Sequence, residues 1–230
     1  MVRCFRWKIV GSIMCARFAL EFAGSLPQSI KTVIGAGLPE AFEAASACVR
    51  PIIRPTDAAS VVITEAQGRR SIEARFGLIP HWAKDPAIAR HTFNARSETI
   101  REKPSFRDAV VQQRCLVPFS HWVEWTGAST ARRALRLSLA SGIGAFAGLW
   151  SSWQAPEEVA PRLSFTIITC PPAPSIAAVH DRMPVVLAPQ DWSHWLAADP
   201  HRACQLLLPY SGSIKVQPIE IGQPSRTWPA

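Results

Sequence analysis

Apolar and polar positions alternate in short bursts along most of this chain. Leu135, Leu137 and Leu139 stand against Arg136 and Ser138, the two-residue period of a half-buried strand. Ser60 to Thr64, Arg114 to Phe119, Trp122 to Thr126, Ala145 to Trp150, Ser164 to Thr169 and Val185 to Ala188 read as further strands. Phe76 to Trp82 reads as a strand running into a loop. Helical patterning is scarcer. It covers residues 35 to 47, with Pro39 early and Phe42 among alanines. Ser105 can cap a second helix, which gathers Phe106, Ala109 and Val110 on one face. A third, Asp191 to Ala197, is opened by Pro189. Pro51 and Pro55 break the chain, Gln154 to Pro161 reads as a surface loop, and the tail after Pro209 reads as irregular. Many short strands with few helices predict a β-rich α+β fold.

Composition narrows the picture. The 230 residues are 48% hydrophobic, which argues against a disordered chain and suits one large domain or two small ones with a real core. No apolar stretch is long enough to span a bilayer. The formal net charge of +8 favours polyanionic partners, nucleic acid among them. The six cysteines form no C-x-x-C pair and no zinc-like cluster with histidine, so no metal and no cofactor are expected. They read as reduced thiols of a cytoplasmic protein. Arg3, Arg6 and Lys8 before a short apolar run imitate a signal peptide, but Arg17 and Glu21 interrupt that run. Met14 makes a better start. Residues 1–13 are then a leader or a mis-assigned start, and residues 14–230 form the domain.

Four scattered segments carry reactive side chains. They are Met14-Cys15-Ala16-Arg17-Phe18, Phe93-Asn94-Ala95-Arg96-Ser97-Glu98-Thr99, Trp122-Val123-Glu124-Trp125 and His180-Asp181-Arg182-Met183-Pro184. If Met14 is the initiator, its removal leaves Cys15 with an amine and a thiol on one residue. An α-amine titrates near about 7.7–8.0, against about 10.4 for lysine, so it is the better nucleophile at neutral pH. It can condense with an aldehyde to an imine, and the thiol can then close a thiazolidine. Asn94 and Arg96, two apart in an extended segment, point the same way and suit a sugar and its phosphodiester. Glu124 between two indoles is partly desolvated and suits proton transfer. His180, in a loop after a strand, suits acid–base work. Trp82 could stack on a base. Each has a plainer reading: Cys15 and Trp82 as packing residues, Asn94 as a turn residue, Glu124 as an ion-pair partner, His180 as a cap, and Arg182 as a solvated charge.

As an ordered set these segments resemble the SRAP family, the SOS-response-associated peptidase domain. The resemblance runs from Met14 to about Pro189. It implies a single SRAP-like domain with curved antiparallel sheets, a barrel-like core and a few short helices. It implies an abasic site processing protein that binds single-stranded DNA, acts as a monomer without a membrane, and associates with the nucleoid when acting. Carried onto this sequence, Cys15 is the nucleophile that crosslinks the lesion as a thiazolidine. Asn94 positions it, Glu124 transfers protons and His180 assists ring opening. Arg17, Arg96 and Arg182 hold phosphates, while Trp82 and Pro55 line the DNA path. The chain departs from the family pattern in having Ala16 and His121 where glycine is usual, and Ile52 where asparagine is common.

Two other readings compete. Cys15, His180 and Asn94 could form a thiol peptidase that cleaves before Cys15. A non-covalent single-stranded DNA-binding protein would need none of this chemistry, only salt-sensitive phosphate contacts.

Overall fold

The computed structural model describes residues 17–21, 25–34, 37–47, 49–127, 131–197 and 199–220. Strand β1 (Phe18–Leu20) leads into helices α1 (Gln28–Ile34) and α2 (Leu38–Ser46). Strands β2 (Arg50–Ile53), β3 (Ala58–Glu65), β4 (Gly68–Phe76) and β5 (Asn94–Arg96) follow, then α3 (Arg107–Gln112). The chain continues through β6 (Arg114–Phe119), β7 (His121–Thr126), β8 (Arg133–Leu139), β9 (Gly144–Trp153) and β10 (Arg162–Cys170). Short β11 (Met183–Pro184) and β12 (Val186–Leu187) precede α4 (Trp192–Ala197), α5 (Pro200–Cys204) and β13 (Ile214–Ile219). The β-rich α+β class read from the sequence is the one found.

Five strands close on themselves in the order β10-β4-β3-β6-β9, with β9 pairing back onto β10. Closure leaves this ring without open edges. The expectation of antiparallel sheets around a barrel-like core holds except at two places, since β4 and β5 both run parallel to β10. A second sheet has the order β13-β8-β7-β1-β2 and is antiparallel throughout. Phe18 of β1 packs edge-on against Phe76, Phe146 and Phe165 of the barrel strands, at 5.7, 6.0 and 6.5 Å. Offset and edge-on ring contacts of this kind add to area burial. Phe18 thus ties the second sheet to the barrel, together with Trp122 of β7, which packs edge-on against Phe119 and Phe146.

Several local expectations need correction. Phe76 ends β4 rather than beginning a strand. Gly77 follows with φ 129°, and a Cβ there would meet the Ala89 carbonyl oxygen at 2.5 Å, so the chain turns at the one residue that can do so. Pro51 lies inside β2 instead of breaking the chain, because β2 is an edge strand and needs no inward N–H there. Phe106, not Ser105, occupies the cap of α3, and no side chain caps that end. The tail after Pro209 carries β13, whose six residues pair in register with β8 from Ile214↔Leu139 to Ile219↔Ala134.

Arg114, buried at the start of β6, locks helices to the barrel. Its Nε donates to the Trp195 carbonyl at 2.6 Å, and its Nη1 to the Val110 and Val111 carbonyls at 2.8 and 2.9 Å. These serve the last turns of α3 and α4, where carbonyls lack intrahelical donors. Among the described residues no helix is long and apolar enough to cross a membrane.

Candidate functional site

The barrel strand β10 organises one half of the site. Asn94, Ala95 and Arg96 of β5 lie in register with Ile167, Ile168 and Thr169. The strand period buries Ala95 and sends Asn94 and Arg96 to the other face, as their spacing predicted. Arg96 is exposed and forms no ion pair among the described residues. Ser97 N–H donates to the Thr169 carbonyl at 2.9 Å, holding the segment just past β5 against β10.

The segment from His180 to Pro184 returns to the same strand end. Thr169 and Cys170 pair with Pro184 and Met183. His180 is buried, at 7% exposure. Its Nδ1 lies 3.1 Å from the Arg182 backbone N and 2.9 Å from Asp181 Oδ1. The Arg182 backbone N–H and the Asp181 carboxylate thus meet at the same ring nitrogen and fix the orientation of the imidazole. Arg182 does not face open solvent as a solvated charge would. Both ends of its guanidinium meet the Glu98 carboxylate, Nη2 to Oε2 at 2.8 Å, and Nη2 also donates to the Thr169 carbonyl at 2.7 Å. The donors that the sequence reading assigned to a phosphate are therefore largely engaged inside the protein. The Arg182 hydrogen bonds hold the Glu98 carboxyl down at about 2, from an ordinary 4.5.

The second sheet organises the other half. Val123 N–H donates to the Arg17 carbonyl at 3.0 Å, fixing β1 beside β7. Glu124 is buried at 3% exposure, with Trp122 at 0% on the same face of β7. The pleat sends Trp125 to the opposite face, so Glu124 shares its side with one indole rather than two. Trp125 instead receives the Arg17 guanidinium, 5.4 Å from its ring centroid. Arg17 Nη1 is buried without a hydrogen-bond partner. Burial, then the charge of Arg54, lowers the Arg17 pKa. Arg54 escaped the sequence reading, for an exposed arginine beside a proline carries no local signal.

His121, at the family's usual glycine position, is also buried. Glu21 Oε2 lies 3.6 Å from its Nδ1 and 3.7 Å from Arg136 Nη2, and Ser120 Oγ lies 3.3 Å from the same Nδ1. Burial and Arg136 lower the His121 pKa, against a smaller opposing pull from Glu21. The sequence showed no pairing for it, because Glu21 follows β1 and Arg136 lies in β8, both distant in sequence.

Trp82 is 47% exposed, and its Nε1 donates to the Pro104 carbonyl at 3.3 Å. The neighbouring Ala83 carbonyl accepts from Trp153 Nε1 at 2.7 Å, so the loop is pinned inward beside the exposed indole. Pro55 is buried and offers little surface to any ligand. It sits in a turn closed by Asp57 N–H donating to the Arg54 carbonyl at 2.9 Å, with Thr56 at φ 81°. Cys15 lies outside the described residues. Among those described, no group of three or more His, Cys, Asp or Glu could hold a metal ion. Thus Asn94, Arg96, His180 and Arg182 gather at β10, Arg17 and Glu124 at the β1–β7 pair, and Phe18 links the two against Phe165.

Comparison with known proteins identifies relatives of the chain and of its fold. The chain is 38% identical over 163 residues to the abasic site processing protein YoqW of Bacillus subtilis, covering 69% of this chain and 72% of that protein. It is 22% identical over 172 residues to the abasic site processing protein HMCES of Gallus gallus, covering 63% of this chain and 51% of that one. A crystal structure of a Bacteroides thetaiotaomicron protein shares the fold, with a TM-score of 0.72 at 20% identity over 90% of this chain and 92% of that one. The family model described as SOS response associated peptidase (SRAP) matches residues 14–222, and the chain belongs to that family.

Proposed function

We propose that this protein processes abasic sites in single-stranded DNA, capturing the lesion's open-chain aldehyde on Cys15. The names of its relatives support the substrate class. The observation that carries the chemistry is the β1–β7 pairing beside a buried carboxylate. Cys15 stands two residues before Arg17, no more than about 7.6 Å away in Cα separation. The Arg17 carbonyl is bonded to Val123, the neighbour of buried Glu124. The family match opening at Met14 supports Cys15 as the leading residue once Met14 is removed.

The reaction balances without an oxidant or metal. The Cys15 amine adds to the aldehyde carbon, and the carbinolamine loses water to give an imine. The thiolate then adds to the imine carbon, the nitrogen takes a proton, and a thiazolidine closes. Glu124 serves the proton transfers, in a buried setting where a carboxylate works well as acid and base. The Asn94 amide orients the amine and a sugar hydroxyl. His180, held by its neighbours Asp181 and Arg182, assists opening of the sugar ring. Arg17 and Arg96 hold phosphates, and Trp82 stacks on a base. Arg182 acts through its ion pair, keeping the His180 segment against β5. Pro55 serves by shaping its turn.

The test combines denaturing electrophoresis of an abasic oligonucleotide with mass spectrometry of the mature chain. The expected result is a chain that begins at Cys15 and forms a stable adduct. Cys15→Ala abolishes that adduct and Glu124→Gln slows it. Adduct persisting in Cys15→Ala overturns the assignment. The family's description as a peptidase favours a second route to the same start, self-cleavage before Cys15. A chain starting at Cys15 in a host unable to remove Met14 would select it.

A further inference from the structure

We propose that Arg17 and Arg54 form a two-guanidinium clamp for one phosphate group, making Arg54 a DNA-backbone ligand. The clamp rests on the reading of DNA as substrate.

Strand register brings the two arginines together. Phe18 pairs with Ile53 in antiparallel β1 and β2, so Arg17 and Arg54 are the next residues to face each other. Like charges directly opposite on a strand pair destabilise the fold. Nothing among the described residues relieves this pair. Neither arginine forms an ion pair there, and Arg17 Nη1 is buried without a hydrogen-bond partner. A buried guanidinium N–H without an acceptor is costly unless an acceptor arrives. The nearest carboxylate in sequence is already engaged, for Asp57 Oδ2 accepts the Arg54 backbone N–H at 2.8 Å.

The turn that follows holds Arg54 in place. Thr56 N–H donates to the Phe76 carbonyl at 2.7 Å, and Phe76 N–H donates to the Asp57 carbonyl at 2.8 Å. Thr56 keeps φ 81°, a conformation a β-branched residue rarely adopts, within this bonded frame. Strain held by surrounding bonds is a recurrent mark of ligand clamps. Trp125 holds the Arg17 guanidinium by a cation–π contact, with Cζ 5.4 Å from the ring centroid, and leaves the guanidinium N–H groups to find oxygen acceptors. Two such forks suit the non-bridging oxygens of one phosphodiester.

The test uses fluorescence-anisotropy titrations of the full chain against single-stranded oligonucleotides. Each oligonucleotide carries one neutral methylphosphonate, stepped along the strand. For the unsubstituted protein, neutralising the clamped linkage should weaken binding roughly tenfold, the scale of one charge-assisted contact. In Arg54→Ala and Arg17→Ala that sensitivity should fall at the same linkage. Arg54→Gln should also raise the melting temperature of the free protein slightly, by removing the repulsion. A purely structural Arg54 would lower it.

Arg54→Ala binding every oligonucleotide as the unsubstituted protein does overturns the clamp. So does Arg54 sensitivity at a different linkage from that of Arg17. Adduct formation with an inert Arg54 would sink the clamp and leave the covalent reading intact. Binding with the expected linkage pattern but no adduct would do the reverse.

Discussion

Glu98 and Arg182 hold each other across 84 residues of chain, with Arg182 Nη2 2.8 Å from Glu98 Oε2. The pair stitches the segment after β5 to the loop before β11, and so sets Asn94 and His180 on one strand end. Its strength depends on pH in a defined direction. The Glu98 carboxyl is depressed from 4.5 to about 2. Its contribution is therefore complete above pH 4.5 and is lost as pH falls toward about 2. Glu98 is about half exposed, so screening limits the contribution to roughly 1 kcal/mol. Urea unfolding of Glu98→Gln should show a loss of that size at neutral pH. The difference from the unsubstituted protein should vanish at the acid end, and a constant difference would count against the pairing.

His121 titrates in a different window. Burial and Arg136 lower its pKa below the ordinary 6.5. The unfolded chain therefore binds the proton more readily, and stability falls as pH drops below 6.5. His121→Gln should flatten the stability profile between neutral and mildly acidic pH. A profile that keeps its slope there would assign the effect to another group.

Arg114 anchors three carbonyls from within the protein. Arg114→Met keeps most of the volume and leaves those carbonyls without their donor. The cost should be about 2–4 kcal/mol by urea unfolding, the range for stranding buried polar groups. A loss under about 0.5 kcal/mol, the usual surface value, would mean that water replaces the guanidinium.

Several strands were legible because short apolar or alternating runs survive in the sequence, although β4 was not among them. Arg114 to Phe119 was bounded correctly from its own residues, and Leu135 to Leu139 fell inside β8. Strand β13 was not legible. Ile214 to Ile219 contains Pro218, follows a polar turn-like stretch, and buries little, so only its pairing with β8 makes it a strand. Helix α1 was missed for a related reason. Its seven residues include three β-branched types, and the docking of Ile30 and Ile34 onto the core outweighs their weak propensity. At the site, the shared orientation of Asn94 and Arg96 followed from a two-residue spacing. The engagement of Arg182 did not, since no local pattern announces a partner 84 residues away. Arg54 emerged only from strand register. Cys15, on which the chemistry depends, lies outside the described residues.

Strand β10 closes the barrel and also carries β5 and β11. The amide assigned to lesion capture is thus mounted on β5 against one stave of a sealed cask, and the imidazole on the loop that leads into β11. Neither can drift without loosening pairings made on β10, a strand of the closed ring. A recess framed this stiffly has little capacity to mould itself around a damaged strand. Under the proposed function, the nucleic acid must do the deforming, by splaying its bases and opening its sugar. Undamaged, stacked polymer is then disfavoured by its own rigidity before any side chain reads it.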